Sequence, residues 1–148
     1  MNSERESLLA RIKTDLTAIN GTAPYTNTVR LVSRDLLSPS QVNIYPAIVM
    51  ADESESEFRT ASSQRLFLTL RLNLYCYLQV GPDTVSTALN SMLADVRYAM
   101  TCTANRAHGG YAITTWYRGA ETFTIEGRAT SGVIAAFDVT YTCTWDTP

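Results

Sequence analysis

His108 is the only histidine in the chain, so a Ser/His/Asp triad, a Cys/His pair or a histidine-bound metal would have to be built on it. The run His108-Gly109-Gly110 is of the kind that forms the oxyanion loop of esterases, but no G-x-S-x-G nucleophile elbow accompanies it. It therefore reads as a glycine-rich turn between a helix and a strand. The sequence also lacks the phosphate loop G-x-x-x-x-G-K-[ST], the dinucleotide signature G-x-G-x-x-G and the zinc motif H-E-x-x-H. Cys76, Cys102 and Cys143 are odd in number and form no C-x-x-C pair, so they read as reduced thiols, with Cys76 and Cys143 at apolar strand positions. Asp15 and Asp95 fall on amphipathic helices beside arginines, where surface ion pairs account for them. No catalytic residue, metal or cofactor is expected, and the protein is not expected to be an enzyme.

Two further groups invite a binding role. Asp52-Glu53-Ser54-Glu55-Ser56-Glu57 places four carboxylates in six residues, but it lacks the glycine and the bidentate glutamate of a calcium loop. It reads as a mobile, solvated acidic loop over residues 52–63, with Phe58 as its one large apolar anchor. Tyr111, Trp116, Tyr117, Tyr141 and Trp145 could stack on bases or sugars. With no interleaved basic residues they read instead as core or interface.

The elements that must carry these residues follow from periodicity. Ser3-x-x-Glu6 is a capping box, and Leu8, Leu9, Ile12, Leu16 and Ile19 form one stripe of a helix over residues 4–20, stopped by Asn20-Gly21. Strands are expected at residues 28–33 and from Pro46 onward. Residues 65–78 alternate without interruption. Leu66, Leu68, Leu70, Leu72, Leu74, Cys76 and Leu78 share one face; Phe67, Thr69, Arg71, Asn73, Tyr75 and Tyr77 share the other. At about 3.3 Å per residue this strand reaches roughly 46 Å, against about 17–20 Å for an ordinary one, and the surplus points to a hairpin arm or an intersubunit sheet. Gly81-Pro82-Asp83 breaks it and opens a second helix. There Val85, Leu89, Met92, Leu93, Val96 and Met100 keep helical spacing, and the methionines pack on the leucine face. Three alternating strands close the chain at residues 111–118, 122–128 and 133–145, with Gly119-Ala120 as a hairpin turn. The expected fold is α+β: a mainly antiparallel sheet with two amphipathic helices packed on one face, one domain over residues 1–148.

The composition is that of a globular chain. With 148 residues it buries roughly 68% of its unfolded surface, and 45% hydrophobic with 18% charged residues excludes a disordered tail. The longest apolar runs, residues 47–51 and 133–137, are far shorter than the roughly 20 residues that span a bilayer, so no membrane contact is expected. The N-terminus has acidic residues and no apolar core, unlike a signal peptide. Net charge is −2, and Lys13 stands against eleven scattered arginines. That composition favours fixed ion pairs at protein interfaces over duplex binding, which needs clustered cations.

Taken together, the first helix, the Tyr45-Pro46-Ala47-Ile48-Val49 strand, the charged segment, the long strand, the helix carrying Leu89-Asn90-Ser91-Met92-Leu93 and the threonine-rich C-terminal sheet resemble the tail terminator proteins of long-tailed bacteriophages, the minor tail protein U type. The resemblance implies a virion protein assembled in the host cytoplasm. Its copies form a ring, commonly a hexamer, that caps the tail tube protein, halts tube growth and presents a face to the head connector protein. DNA would pass through the lumen without sequence-specific contacts. Within that reading Arg71, Tyr75 and Tyr77 are the expected subunit or tube interface, and Asp52, Glu53, Glu55 and Glu57 the expected lumen or docking loop. A head-completion or connector adaptor ring, and a small non-viral binding module, are the alternatives.

Overall fold

The structure, a computed structural model, describes residues 3–62, 65–79, 85–125 and 130–144. Helix α1 (Glu4–Thr17) leads to the short strand β1 (Leu31–Ser33) and then to β2 (Ala47–Ser62) and β3 (Arg65–Gln79). Helix α2 (Val85–Thr101), β4 (Thr114–Ile125) and β5 (Thr130–Thr144) complete the order. The strands form one five-stranded sheet in the order β1-β2-β3-β5-β4, antiparallel throughout except that β1 runs parallel to β2. This is the α+β arrangement expected from the periodicity. Among the described residues no helix is long and apolar enough to cross a membrane.

The alternation in β3 organises the core. Leu70, Leu72, Leu74 and Cys76 are fully buried, and β5 sets Val133, Ala135, Phe137 and Val139 beside them on the same face. Leu8, Ile12 and Leu16 of α1 and Leu89, Met92, Val96 and Met100 of α2 close over this surface, so both helices pack on one side of the sheet. Burial pushes the Cys76 thiol up to about 12, so it behaves as a small apolar side chain. Ser3 caps α1 by accepting the Glu6 N–H at 3.1 Å. The Glu6 side chain does not return to Ser3 but binds Arg34, so only half of the capping box forms. The helix ends at Thr17, before Asn20-Gly21, because the following residues turn toward a bridge between Asn20 and Thr28.

Three sequence expectations are corrected. Residues 52–62 are not a loop: they continue β2 and pair with β3 as far as Ser62 and Arg65. Their charge suggested solvation, but a strand needs only its backbone ladder and one partner, and β3 is long enough to supply it. Register shifts at Asp52/Ser54, Glu57/Arg59 and Thr60/Ser62 accommodate the polar run. Gly119-Ala120 is not a hairpin turn either. Gly119, at φ +117°, forms a bulge, and the two expected strands become the single strand β4. Third, the strand expected over residues 28–33 shrinks to Leu31–Ser33. Gly81-Pro82-Asp83, Ser63 and Trp145 lie outside the described residues.

Gly132 shows how tightly β5 is seated. It pairs with Tyr77 on one side and Phe123 on the other, and a Cβ built there would lie 2.2 Å from the Phe123 ring and 2.5 Å from the Cys76 carbonyl oxygen. Since the carbonyl belongs to the central strand and cannot swing away, Gly132→Ala is expected to destabilise the protein by about 1–3 kcal/mol. Urea unfolding followed by circular dichroism measures this; a wild-type midpoint would show that the strands separate without cost.

Candidate interaction face

Filling one face of β3 with leucine leaves its other row on the far side of the sheet, where neither helix packs. The registers bring Ala47, Val49 and Ala51 of β2 and Gly132, Ile134, Ala136 and Asp138 of β5 into line with that row. At one end the face is apolar. Val42, Ala47, Val49 and Tyr77 form a second small core, capped by Leu37 and Tyr45 from the segment before β2. Beside it lies an open groove of about 530 Å³ lined by Leu37, Val49, Tyr75, Phe123 and Ile134, with Leu36 at its rim 77% exposed. A second hollow of about 620 Å³ adjoins it, sharing Glu53, Tyr75 and Ile134 but otherwise polar, with Arg71, Arg118 and Glu121.

The polar end is organised by Asp138. Its Oδ1 accepts from Arg71 Nε at 2.5 Å, and its Oδ2 accepts from both Arg118 Nε at 2.7 Å and Arg71 Nη2 at 3.3 Å, so one acid on β5 ties together β3 and β4. Burial opposes ionisation of Asp138, but the bonds from Arg71 and Arg118 outweigh it and hold its carboxyl below the usual carboxylate range. Both guanidinium side chains remain about half exposed, so the trio is fixed in position and still open to a partner.

The residues expected from sequence distribute unevenly over this face. Tyr75 is half-buried and lines both hollows. Arg71 lies on the face as expected, but with Asp138 as its partner, so Arg71→Glu would set two carboxylates side by side and cannot be assumed to spare the fold. Tyr77 is only 4% exposed: its ring meets Phe123 edge-on at 5.5 Å across Gly132, which places it inside the second core rather than on the surface. The four carboxylates also separate. Glu53 faces the open side, whereas Asp52 and Glu55 turn toward the helices, where Arg5 binds both and the Tyr141 hydroxyl donates to Glu55. The backbone of Glu57 pairs with Leu68, and its side chain lies outside the described residues. Asp138, Arg118, Phe123 and Ile134 were not singled out in the sequence. The one available signal was that Asp138 is the lone acid on a threonine-rich strand face.

On the helix side, Asp15 and Asp95 are buried, not surface ion pairs. Asp95 accepts from the backbone N–H groups of Thr26 and Asn27 and from Asn27 Nδ2 at 2.8 Å, fixing the loop after α1 against α2. Asp15 binds Arg11 and accepts from His108 Nδ1 at 2.7 Å. His108 sits in a short 3-10 turn (His108–Gly110) at φ +44°, fully buried, and its Nε2 has no hydrogen-bond partner among the described residues. Burial pushes the His108 pKa below its ordinary value, against the opposing Asp15 hydrogen bond. The neutral imidazole therefore pins this turn to α1.

No family model matches the chain, and no curated protein sequence does. Among solved structures, it is similar to a chain of the virion of native gene transfer agent (GTA) particle, at 12% identity and a TM-score of 0.56, covering 92% of each chain. At that identity the likeness is one of fold.

Two pH windows follow. For His108 the unfolded chain takes up the proton first, so its contribution to stability is complete above about pH 6.5 and is lost as pH falls through the lower folded value. His108→Asn, which tolerates the left-handed backbone, should flatten the slope of unfolding free energy against pH in that range. An unchanged slope would show that the imidazole is not the titrating group. Asp138 has the same sign in a lower window: its contribution is present above the unfolded carboxylate range and lost on acidification below it. Asp138→Asn is expected to cost about 1 kcal/mol at neutral pH, a modest loss because both partners are partly solvated.

Proposed function

We propose that the chain is a structural subunit of a phage-like particle and acts as a tail terminator, without catalytic activity. In this reading copies form a ring on the end of the tail tube, stop its elongation and offer a docking face to the head connector, with DNA passing through the lumen. The observation that carries it is the fold shared with a gene transfer agent virion chain over nearly the whole of both chains. The character of the molecule supports it. The one histidine is buried in a structural pin, and the described residues present an open sheet face with apolar and charged halves. Such a face suits a protein partner better than a small substrate, because it is broad and open and combines tyrosine and arginine, the types enriched where interfaces bind strongly. We assign Arg71, Tyr75 and Glu53 to contacts within the particle.

The test is to delete the chain from the system that encodes it and image the products by electron microscopy. Overlong or headless tails are expected, and Tyr75→Ala, which leaves the Arg71–Asp138 pair in place, should reproduce the defect in part. Tails of normal length on headed particles would overturn the reading. Tail-less heads beside free tails of normal length would favour a head-completion adaptor instead.

A further inference from the structure

The sheet has two unequal free edges, and the geometry points to their meeting between copies: the β4 edge of one chain joins the outer edge of β2 of the next. This deepens the ring reading and rests on it only for the expectation that copies meet head to tail. Among the described residues, β4 at one end of the sheet has a neighbour on the β5 side only. At the other end, among the same residues, β1 covers no more than Ala47, Ile48 and Val49, so β2 from Met50 onward has a strand partner only in β3. Strands left open in this way present unpaired backbone groups. Monomeric proteins blunt them with proline, lysine, bulges or very short length. β4 has twelve residues with neither proline nor lysine, and its one bulge, at Gly119, leaves Gly119–Ile125 in register with β5.

The side chains at the β4 end have interface character. Tyr111, Ile113 and Trp116 are 46%, 48% and 57% exposed within six residues of chain. Arg106 shares a surface hollow with Trp116, and Arg97 lies over the Tyr117 ring at 5.4 Å. Arg118 adds a third cation, shared with Asp138, against Glu121 as the single exposed acid among the described residues of β4. The β2 end has the opposite sign: on the helix side Asp52 and Glu55 share one guanidinium, that of Arg5, and Glu53 adds a third carboxylate on the open side. A basic, aromatic edge and an acidic edge on opposite ends of one sheet form a heterologous pair: each copy carries both, and neither matches itself. Strand direction agrees. β2 and β4 run antiparallel within a chain, so neighbours that share a strand direction continue the sheet with the antiparallel pairing it already uses.

The experiment compares two exposed-site variants by light scattering of the purified full chain, each first checked for wild-type circular dichroism. Wild type is expected to assemble with rising concentration. Trp116→Glu and Glu53→Arg should each raise the concentration for half-assembly by about tenfold or more. An equimolar mixture should yield a discrete dimer, because each variant keeps the end that the other has lost. Hydrogen exchange should then slow at amides of β4 and of residues 50–62 when wild type assembles. A monomeric wild type, Trp116→Glu assembling normally, or Glu53→Arg assembling normally while Trp116→Glu does not, would each overturn the proposal; the last outcome would indicate a symmetric contact through β4. Head-to-tail assembly by a chain whose deletion leaves tails normal would refute the terminator role and leave this inference standing.

Discussion

Everything in this molecule is arranged around β3. It is paired along both sides, by β2 and by β5, over nearly its full length, and its leucine face is the floor on which both helices rest. An uninterrupted period of two makes that possible. One slip in register would send Leu70, Leu72 and Leu74 to the open side and Arg71 and Asn73 into the core, so the hydrophobic cost of any alternative pairing is large. The length of β3 then determines the rest. A strand of this reach gives the acidic residues of β2 a ladder to join, and gives β5 a partner as far as Arg65 and Thr144.

The helices are held by more than apolar contact. Asp15 and Asp95 each face inward, and each ties its helix to a connecting segment: the His108 3-10 turn for α1 and the Thr26–Asn27 backbone for α2. Buried carboxylates are costly unless hydrogen-bonded, and these two are. Their bonds are directional, so they orient the helices in a way that leucine packing alone does not. The loops that they anchor lead directly into β1 and β4, the strands on either side of the sheet.

The opposite face of the sheet has a different economy. Its apolar end is partly filled by Tyr77, Phe123 and Val49, while its polar end is held by one carboxylate serving two arginines. Neither half is covered by a helix. A face built this way is rigid without being closed, which suits repeated docking of the same kind of partner, since little side-chain freedom is lost on contact.

The fold class was legible in the sequence because it depends on local periodicity. The stripe from Leu8 to Leu16, the spacing from Leu89 to Met100 and the alternation from Leu66 to Leu78 each restrict an element without reference to any other part of the chain. What periodicity could not reveal was pairing. The acidic run at Asp52–Glu57 alternates only between polar residues, offers no apolar face of its own and becomes strand because β3 lies beside it; Gly119 could turn the chain or bulge it, and β5 on one side decides for the bulge. The same holds for single residues. Arg71 and Tyr77 share one face of one strand and were read alike, yet Phe123 encloses one and Asp138 holds the other half in solvent. Where the alternation runs without a bulge, as in β3, sequence by itself determined which face each side chain takes, since that is a property of the local backbone. Whether a side chain on that face is buried, paired or free depends on neighbours many residues away, and only the tertiary structure decided it.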